Sequence, residues 1–498
     1  MRTLILSLIL GGCFCTYIWG RDLKSFRQGA YEYYLISDSS VSISDVGNNV
    51  ALPITEDSTL QIPSIIEQDG KNYSVVSIRS GAFSTRTEIK HLVINEGICY
   101  IWPYAFYSCP NLVSVQFPST LSGIEYKNEG MFIGCDKLSN IIIDKRNKEF
   151  DSRNNCNAII HSESNTLVLG CANSIIPSSV ERIGANAFRH CKQLEFINIP
   201  EGVKHINYFA FRDCHNLKAI ALPKSLESIG GSVFDNCMNL TSIFIPRNVS
   251  SVSNYVFSNC YNLTRVLVDE ENPIYDSREH CNAIIYTQND SLVAGCKGSV
   301  IPEGIKSIGN HAFWNSSIPA IHIPSTVHKI GYKAFVGTRF CNTITVAPNN
   351  PIYNSANGCN AIIESSTQKL VQGCNSTIIP NSVIEIGDYA FYGLSMPTCL
   401  IIPCGVEIIG EFVFSRFCGI EYVQLPSSVR LLKKHAFNGC ERLYYIDMSE
   451  CSIDIEEFAF GGCKSLRIVD INLNISSVNN LAFSGTPYAE RESHVQSQ

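Results

Sequence analysis

Apolar positions in this chain fall into one short pattern that repeats. In residues 217–237, LKAIALP is followed by KSLESIGGSVFDNC. Leu217, Ile220 and Leu222 are apolar, and the last two alternate with their neighbours, which is strand periodicity. Pro223 cannot donate to a ladder and ends the strand. Leu226 and Ile229 return to the core, Gly230 and Gly231 turn the chain, and Val233 and Phe234 fill the far side. The next unit, LTSIFIP with RNVSSVSNYVFSNC, repeats this layout. Neither has room for a full helix. The pattern predicts a mainly β repeat solenoid: one parallel sheet of short strands, with turns or 3₁₀ pieces on the opposite, convex side.

A phenylalanine marks the period. Phe188, Phe211, Phe234 and Phe257 lie 23 residues apart, as do Phe391, Phe414, Phe437, Phe460 and Phe483. Phe83 and Phe106 keep the step, Phe132 follows after 26 residues, and Phe335 follows Phe313 after 22. Three gaps of 56 residues each equal one period plus 33 extra residues. A fixed period in this range means stacked copies of one supersecondary unit. Each phenylalanine is expected to stack on its neighbours in a continuous spine, every buried ring contributing roughly 1.5–3 kcal/mol.

The additions fall in three related islands of 34 residues, at 144–177, 269–302 and 347–380. Each holds two apolar runs around a polar turn, a β-hairpin signal. An even register puts Cys156 opposite Cys171, Cys281 opposite Cys296 and Cys359 opposite Cys374. These six are the disulfide candidates, and buried thiols on the hairpin's core face are the alternative. Residues 21–75 lack the phenylalanine period but alternate in strand fashion, so they read as an amino-terminal β cap. The solenoid then spans 76–487, and 488–498 is a polar tail.

Half of the other cysteines, eight of sixteen, obey the period. Cys109, Cys135, Cys191, Cys214, Cys237, Cys260, Cys440 and Cys463 each lie three residues after a repeat phenylalanine, where Ser316, Thr338 and Thr486 stand in other turns. Such a position calls for a small, weakly polar, buried side chain. Equivalent side chains point the same way, which disfavours disulfides between them.

The string IPSSVERIGANAFRHCKQLEFINIP, residues 176–200, resembles the repeat of the BspA-type leucine-rich repeat family, and the resemblance extends over about 62–487. It implies a curved leucine-rich solenoid. Some members are surface adhesins that bind host matrix proteins or other bacteria, and the repeat carries no catalytic residues to transfer. The cap and the NCNAII islands resemble exported members from Gram-negative gut and oral anaerobes. The pattern breaks at LSMPTCLIIPC, residues 394–404, where the small residue is lost and extra cysteines occur.

Composition narrows the functions. A net charge of -7, with 17% charged residues and no run of five like charges, supplies no basic face for nucleic acid. The 45% hydrophobic content supports a packed core. Met1-Arg2-Thr3 and the apolar run Leu4–Leu10 read as an export signal over 1–20, cleaved near Gly20. The competing reading is a lipobox, Leu10-Gly11-Gly12-Cys13, with a lipid anchor at Cys13 as the one route to a membrane. No CxxC pair, phosphate loop or HExxH occurs, so neither metal nor cofactor is expected. His280 and Cys281 adjoin, but strand neighbours face opposite ways, and no catalytic residue is assigned.

Exposed residues of the strands, on the concave sheet face, remain as the binding candidates: Phe196, Asn198, Phe244, His322, Tyr422, Gln424, Tyr444, Tyr445 and Asp447. Aromatics on an open face are favoured anchors for protein or sugar. The expected partner is a protein or glycan on a host or bacterial surface. A structural cell-envelope component and a hydrolase with an unrecognised site are the alternative readings.

Overall fold

The computed structural model describes residues 24–47, 50–124, 130–395, 398–417, 419–471 and 477–490. The proposed export signal, Cys13 and the tail beyond 490 lie outside them. The chain divides into two compact units, Met1–Glu163 and Ser164–Gln498.

In the first unit, strands Ser25–Gln28, Tyr31–Leu35 and Ser40–Asp45 form an antiparallel meander. Ser40–Asp45 then pairs in parallel with Lys71–Ile78, which also closes a hairpin with Ile65–Gln68. Coil geometry starts inside this region. Thr59–Ile62 pairs in parallel with His91–Ile94, followed by Ser114–Phe117 and Asn140–Ile143. Arg86 is buried and pairs with Asp45 at 2.7 Å, while its Nη2 donates to the Gly47 carbonyl. This desolvated charge is paired and hydrogen-bonded, as burial demands.

The second unit is a mainly β solenoid of stacked coils. Each regular coil contributes two strands. The longer one (Phe196–Asn198, Ala219–Ala221, Ser242–Ile245, Arg265–Val268 and their successors) carries the LxxIxI pattern. The shorter one has two residues, such as Arg182–Ile183, His205–Ile206, Ser228–Ile229 and Ser251–Val252, and builds its own parallel ladder. One sheet was expected, and two ladders are found. The second arises because the coil bends right after the apolar residue, at Gly184, Asn207, Gly230 and Ser253, leaving only two residues extended. Among the described residues, 3₁₀ turns occur only in the islands, at Arg153–Asn155, Arg278–His280 and Ala356–Gly358. The remaining side is tied coil to coil by backbone bonds such as Phe211 N–H to the Val233 carbonyl, 3.0 Å.

The phenylalanines stack, but in separate runs. Phe83, Phe106 and Phe132 do so in the first unit at 5.4 Å spacings. In the second, Phe188 to Phe257, Phe313 with Phe335, and Phe391 to Phe483 form three runs with nearly parallel rings. The continuous spine is thus corrected. Each run of the second unit begins against an island glycine. A Cβ on Gly170, Gly295 or Gly373 would stand 2.1–2.2 Å from a ring carbon of Phe188, Phe313 or Phe391. Bare backbone takes the place that a preceding phenylalanine would fill.

Islands enter as rungs of the short-strand ladder. Ala283–Tyr286 pairs antiparallel with Ser291–Gly295, which in turn pairs in parallel with Ser307–Ile308. Ala361–Glu364, Lys369–Gly373 and Glu385–Ile386 repeat this. A bulge after Ile284, and again after Ile362, shifts the register by one residue at the cysteine end. The even pairing of Cys281 with Cys296 and of Cys359 with Cys374 therefore does not hold. Cys281 turns to the Ala283 carbonyl and Cys296 to that of Asn282. Cys156 lies in the first unit and Cys171 in the second, and all six cysteines are buried free thiols.

Candidate functional site

The parallel strands Cys399–Ile401, Tyr422–Gln424, Tyr445–Met448 and Ile468–Ile471 place side chains one above another. Alternation buries Leu400, Val423 and Ile446 and turns their neighbours outward. Register then builds two outward columns: Cys399, Tyr422, Tyr445 and Ile468, beside Ile401, Gln424, Asp447 and Asp470.

The Tyr422 and Tyr445 rings sit 5.1 Å apart at 46°. The Tyr445 hydroxyl donates to the Asp470 carboxylate at 2.6 Å, and this bond raises its pKa to about 12. Desolvation, with the Asp447 charge second, raises Tyr422. Tyr444, just before its strand, is 46% exposed and Ile468 is 43% exposed. Glu421 fixes the edge. Its carbonyl receives the N–H groups of Tyr444 and Tyr445 at 2.9 and 3.1 Å, and its carboxylate pairs with Arg442. Together with Ser465, these residues line a cleft of about 650 Å³.

Of the residues expected from sequence, Tyr422, Tyr444 and Tyr445 meet in this cleft. Gln424 and Asp447 are strand neighbours beside it. Phe196 and Asn198 lie on another strand pair, in register with Ala219 and Ala221, with the Lys218 ammonium 5.7 Å over the Phe196 ring. Phe244 lies beside Leu267 on a third pair, and His322 shares a 2.8 Å hydrogen bond with Thr345 on a fourth. The strand ladders do not bring these four into the cleft.

Sequence reasoning missed Glu421, Arg442, Ser465, Ile468 and Asp470. The period could have found two of them, because Ile468 and Asp470 fall 23 residues after Tyr445 and Asp447. Chemically, the cleft offers ring faces, an aliphatic side chain, carboxylates and one paired guanidinium. It suits an apolar group flanked by hydrogen-bond donors. Among the described residues, no three His, Cys, Asp or Glu side chains converge as metal ligands.

The repeats match the model of the BspA-type leucine-rich repeat region over residues 65–166, 168–279, 294–373 and 361–490. No curated protein matches the chain. Solved structures similar to it include a leucine-rich cell surface protein from Faecalibacterium prausnitzii, at 20% identity, covering 93% of this chain and 98% of that one, with a TM-score of 0.32. A leucine-rich repeat protein from Bacteroides ovatus is 21% identical, covers 91% and 99%, and has a TM-score of 0.34. The pneumococcal vaccine antigen PcpA is 18% identical, covers 94% and 97%, and has a TM-score of 0.40. Coils, paired strands and matched repeats along most of its length make the chain a member of the BspA-type leucine-rich repeat family.

Proposed function

We propose that this protein is exported and acts by recognition rather than catalysis. Its open sheet face, centred on Tyr422, Tyr444 and Tyr445, engages a protein or glycan on a host or bacterial surface, and adhesion is the outcome. Family membership supports a binding role. The observation that carries the reading is the cleft itself: three tyrosines and Ile468 form one outward apolar surface edged by Glu421 and Asp470. Rigid aromatics with a polar rim are how a preformed surface gains affinity without ordering loops.

The test is binding of the purified protein to immobilised host matrix proteins, bacterial cells and a glycan array, with Tyr422→Ala/Tyr445→Ala beside the wild type. Binding lost in the variant, with its unfolding midpoint kept, is the expected result. Unchanged binding to every captured partner moves the recognition surface elsewhere. Fractionation of cells carrying a tagged chain checks export.

A further inference from the structure

The third island differs from the second at one position of the coil before it, where cysteine stands in place of leucine. In the second, the N–H of Lys297 donates to the Leu263 carbonyl at 3.0 Å, and in the third the N–H of Asn375 donates to the Cys341 carbonyl at 3.3 Å. Cys296 and Cys374 thus each lie 33 residues after the coil residue they face, Leu263 in one case and Cys341 in the other. Leucine fills this position in most coils, as Leu194, Leu217, Leu240, Leu443 and Leu466, all buried. Cys341 and Cys374 lie in one core cluster, the Cys341 thiol donating to the Thr343 carbonyl at 3.5 Å and the Cys374 thiol to that of Asn360 at 3.4 Å. The junction is held from both sides: the Asn375 amide donates to the Arg339 carbonyl at 2.8 Å, and the Ser376 hydroxyl to that of Asn342.

We propose that Cys341 and Cys374 are an oxidisable pair, and that their disulfide staples the third island to the coil preceding it. The oxidant is an external disulfide, small-molecule or protein. The Cys374 proton leaves to solvent, and its thiolate attacks one sulfur of the oxidant and expels the first external thiolate. Cys341 then loses its proton, and its sulfur attacks Cys374 Sγ in the mixed disulfide and expels the second. One Sγ–Sγ bond forms, two protein thiols are oxidised, and the oxidant is reduced to two thiols. Both thiols are buried in the folded protein, so exchange belongs to the docking of the island during folding.

Once docked, the two thiols bias each other. In the folded protein the neighbouring Cys341, with Ser376 and Thr377, lowers the Cys374 thiol against burial, while Cys374 and burial push Cys341 up. Cys296, which faces Leu263 instead, is raised by burial. Attack by Cys341 first would give the same disulfide.

The experiment refolds the full chain in a buffer of reduced and oxidised glutathione, quenches with iodoacetamide in denaturant, and maps the unreduced digest by mass spectrometry. The expected product is a Cys341–Cys374 linked peptide two hydrogens lighter than its parts, with Cys359 alkylated and an unfolding midpoint that drops on reduction. Cys341→Leu restores the side chain used in the other coils. It should fold, lack the link, and show a smaller drop on reduction than the wild type. Alkylation of both residues in the wild type, a Cys359–Cys374 link, or an undiminished drop in Cys341→Leu would overturn the proposal.

Discussion

The thiol of Cys237 donates to the carbonyl of Phe211, 3.1 Å away in the preceding coil. The same bond joins Cys214 to Phe188, Cys260 to Phe234, Cys440 to Phe414 and Cys463 to Phe437, at 3.0–3.2 Å. Each such carbonyl in mid-stack also accepts a backbone N–H within its own coil, as Phe234 does from Cys237. Its second lone pair would otherwise be buried unpaired, at a cost. Thr338 and Thr486 instead turn their hydroxyls to the phenylalanine of their own coil. The repeat position thus favours a small donor, although Leu394 and Phe417 hold it in two coils of the second unit. Cys237→Ala keeps the volume nearly unchanged but strands the Phe211 lone pair. It should destabilise by about 1–2 kcal/mol, read as a lowered thermal midpoint.

Thiol labelling separates this ladder from the surface. Burial pushes the Cys214, Cys237 and Cys260 thiols far above their ordinary value. Cys399 and Cys404 are the exposed cysteines among the described residues. A brief native reaction with iodoacetamide, followed by peptide mapping, should mark Cys399 and Cys404 and leave Cys237 unmodified until denaturant is added. Native labelling of Cys237 would contradict its donor role.

The aromatic stacks have a vulnerable end at each island. Phe211→Ala removes a fully buried ring between two others and should cost about 3–5 kcal/mol. Gly295→Ala adds one methyl group 2.1 Å from a Phe313 ring carbon and should cost about 1–3 kcal/mol by overpacking. Thermal unfolding of both variants checks this, and Gly231→Ala, whose Cβ would come no nearer than 3.4 Å to another atom, is the uncrowded control.

The phenylalanine period, the strand pattern and the island hairpins were legible because each depends on side-chain size recurring at fixed spacing. What stayed hidden was set by backbone. Two-residue strands such as Ser228–Ile229 carry too little alternation to register as a ladder. The bulge after Ile284 leaves no mark in composition, and it alone undoes the even cysteine pairing. Gly295 reads as an ordinary turn residue until Phe313 is seen against it. At the cleft, the aromatics were visible from their alternation, whereas Arg442 enters through an ion pair with Glu421 in another coil.

A charged network on the second unit makes stability depend on pH. Asp235 is 8% exposed, pairs with Arg212 at 3.2 Å and accepts from the Asn259 amide at 2.8 Å. Burial outweighs these partners, with the Asp213 charge adding, and raises its carboxyl pKa. A raised folded value means the folded state holds the proton more tightly. The stabilisation is full below the ordinary carboxylate pKa and is lost as pH rises through the raised one. Asp235→Asn keeps the acceptor and removes the charge. Its midpoint relative to wild type should be higher at pH 7 than at pH 4.

The cleft can be probed without its ligand. Tyr445 holds its phenol proton up to about pH 12 because the hydroxyl donates to Asp470, with weaker contributions from desolvation and the Asp447 charge. Asp470→Asn removes the charge that penalises phenolate, so the Tyr445 pKa should fall toward the ordinary value near 10. NMR of ring-labelled tyrosine at pH 11 reads this directly: wild-type Tyr445 stays protonated and the variant ionises. Both groups sit on the surface, so the unfolding midpoint at neutral pH should stay close to wild type. Partner binding should respond more than stability does, since the bond fixes the ring beside Tyr422 and sets how the face presents its phenol–carboxylate pair. Tyr445→Phe separates these effects, keeping the ring and losing the bond. An unaltered Tyr445 titration in Asp470→Asn would mean that some other group sets the character of this face.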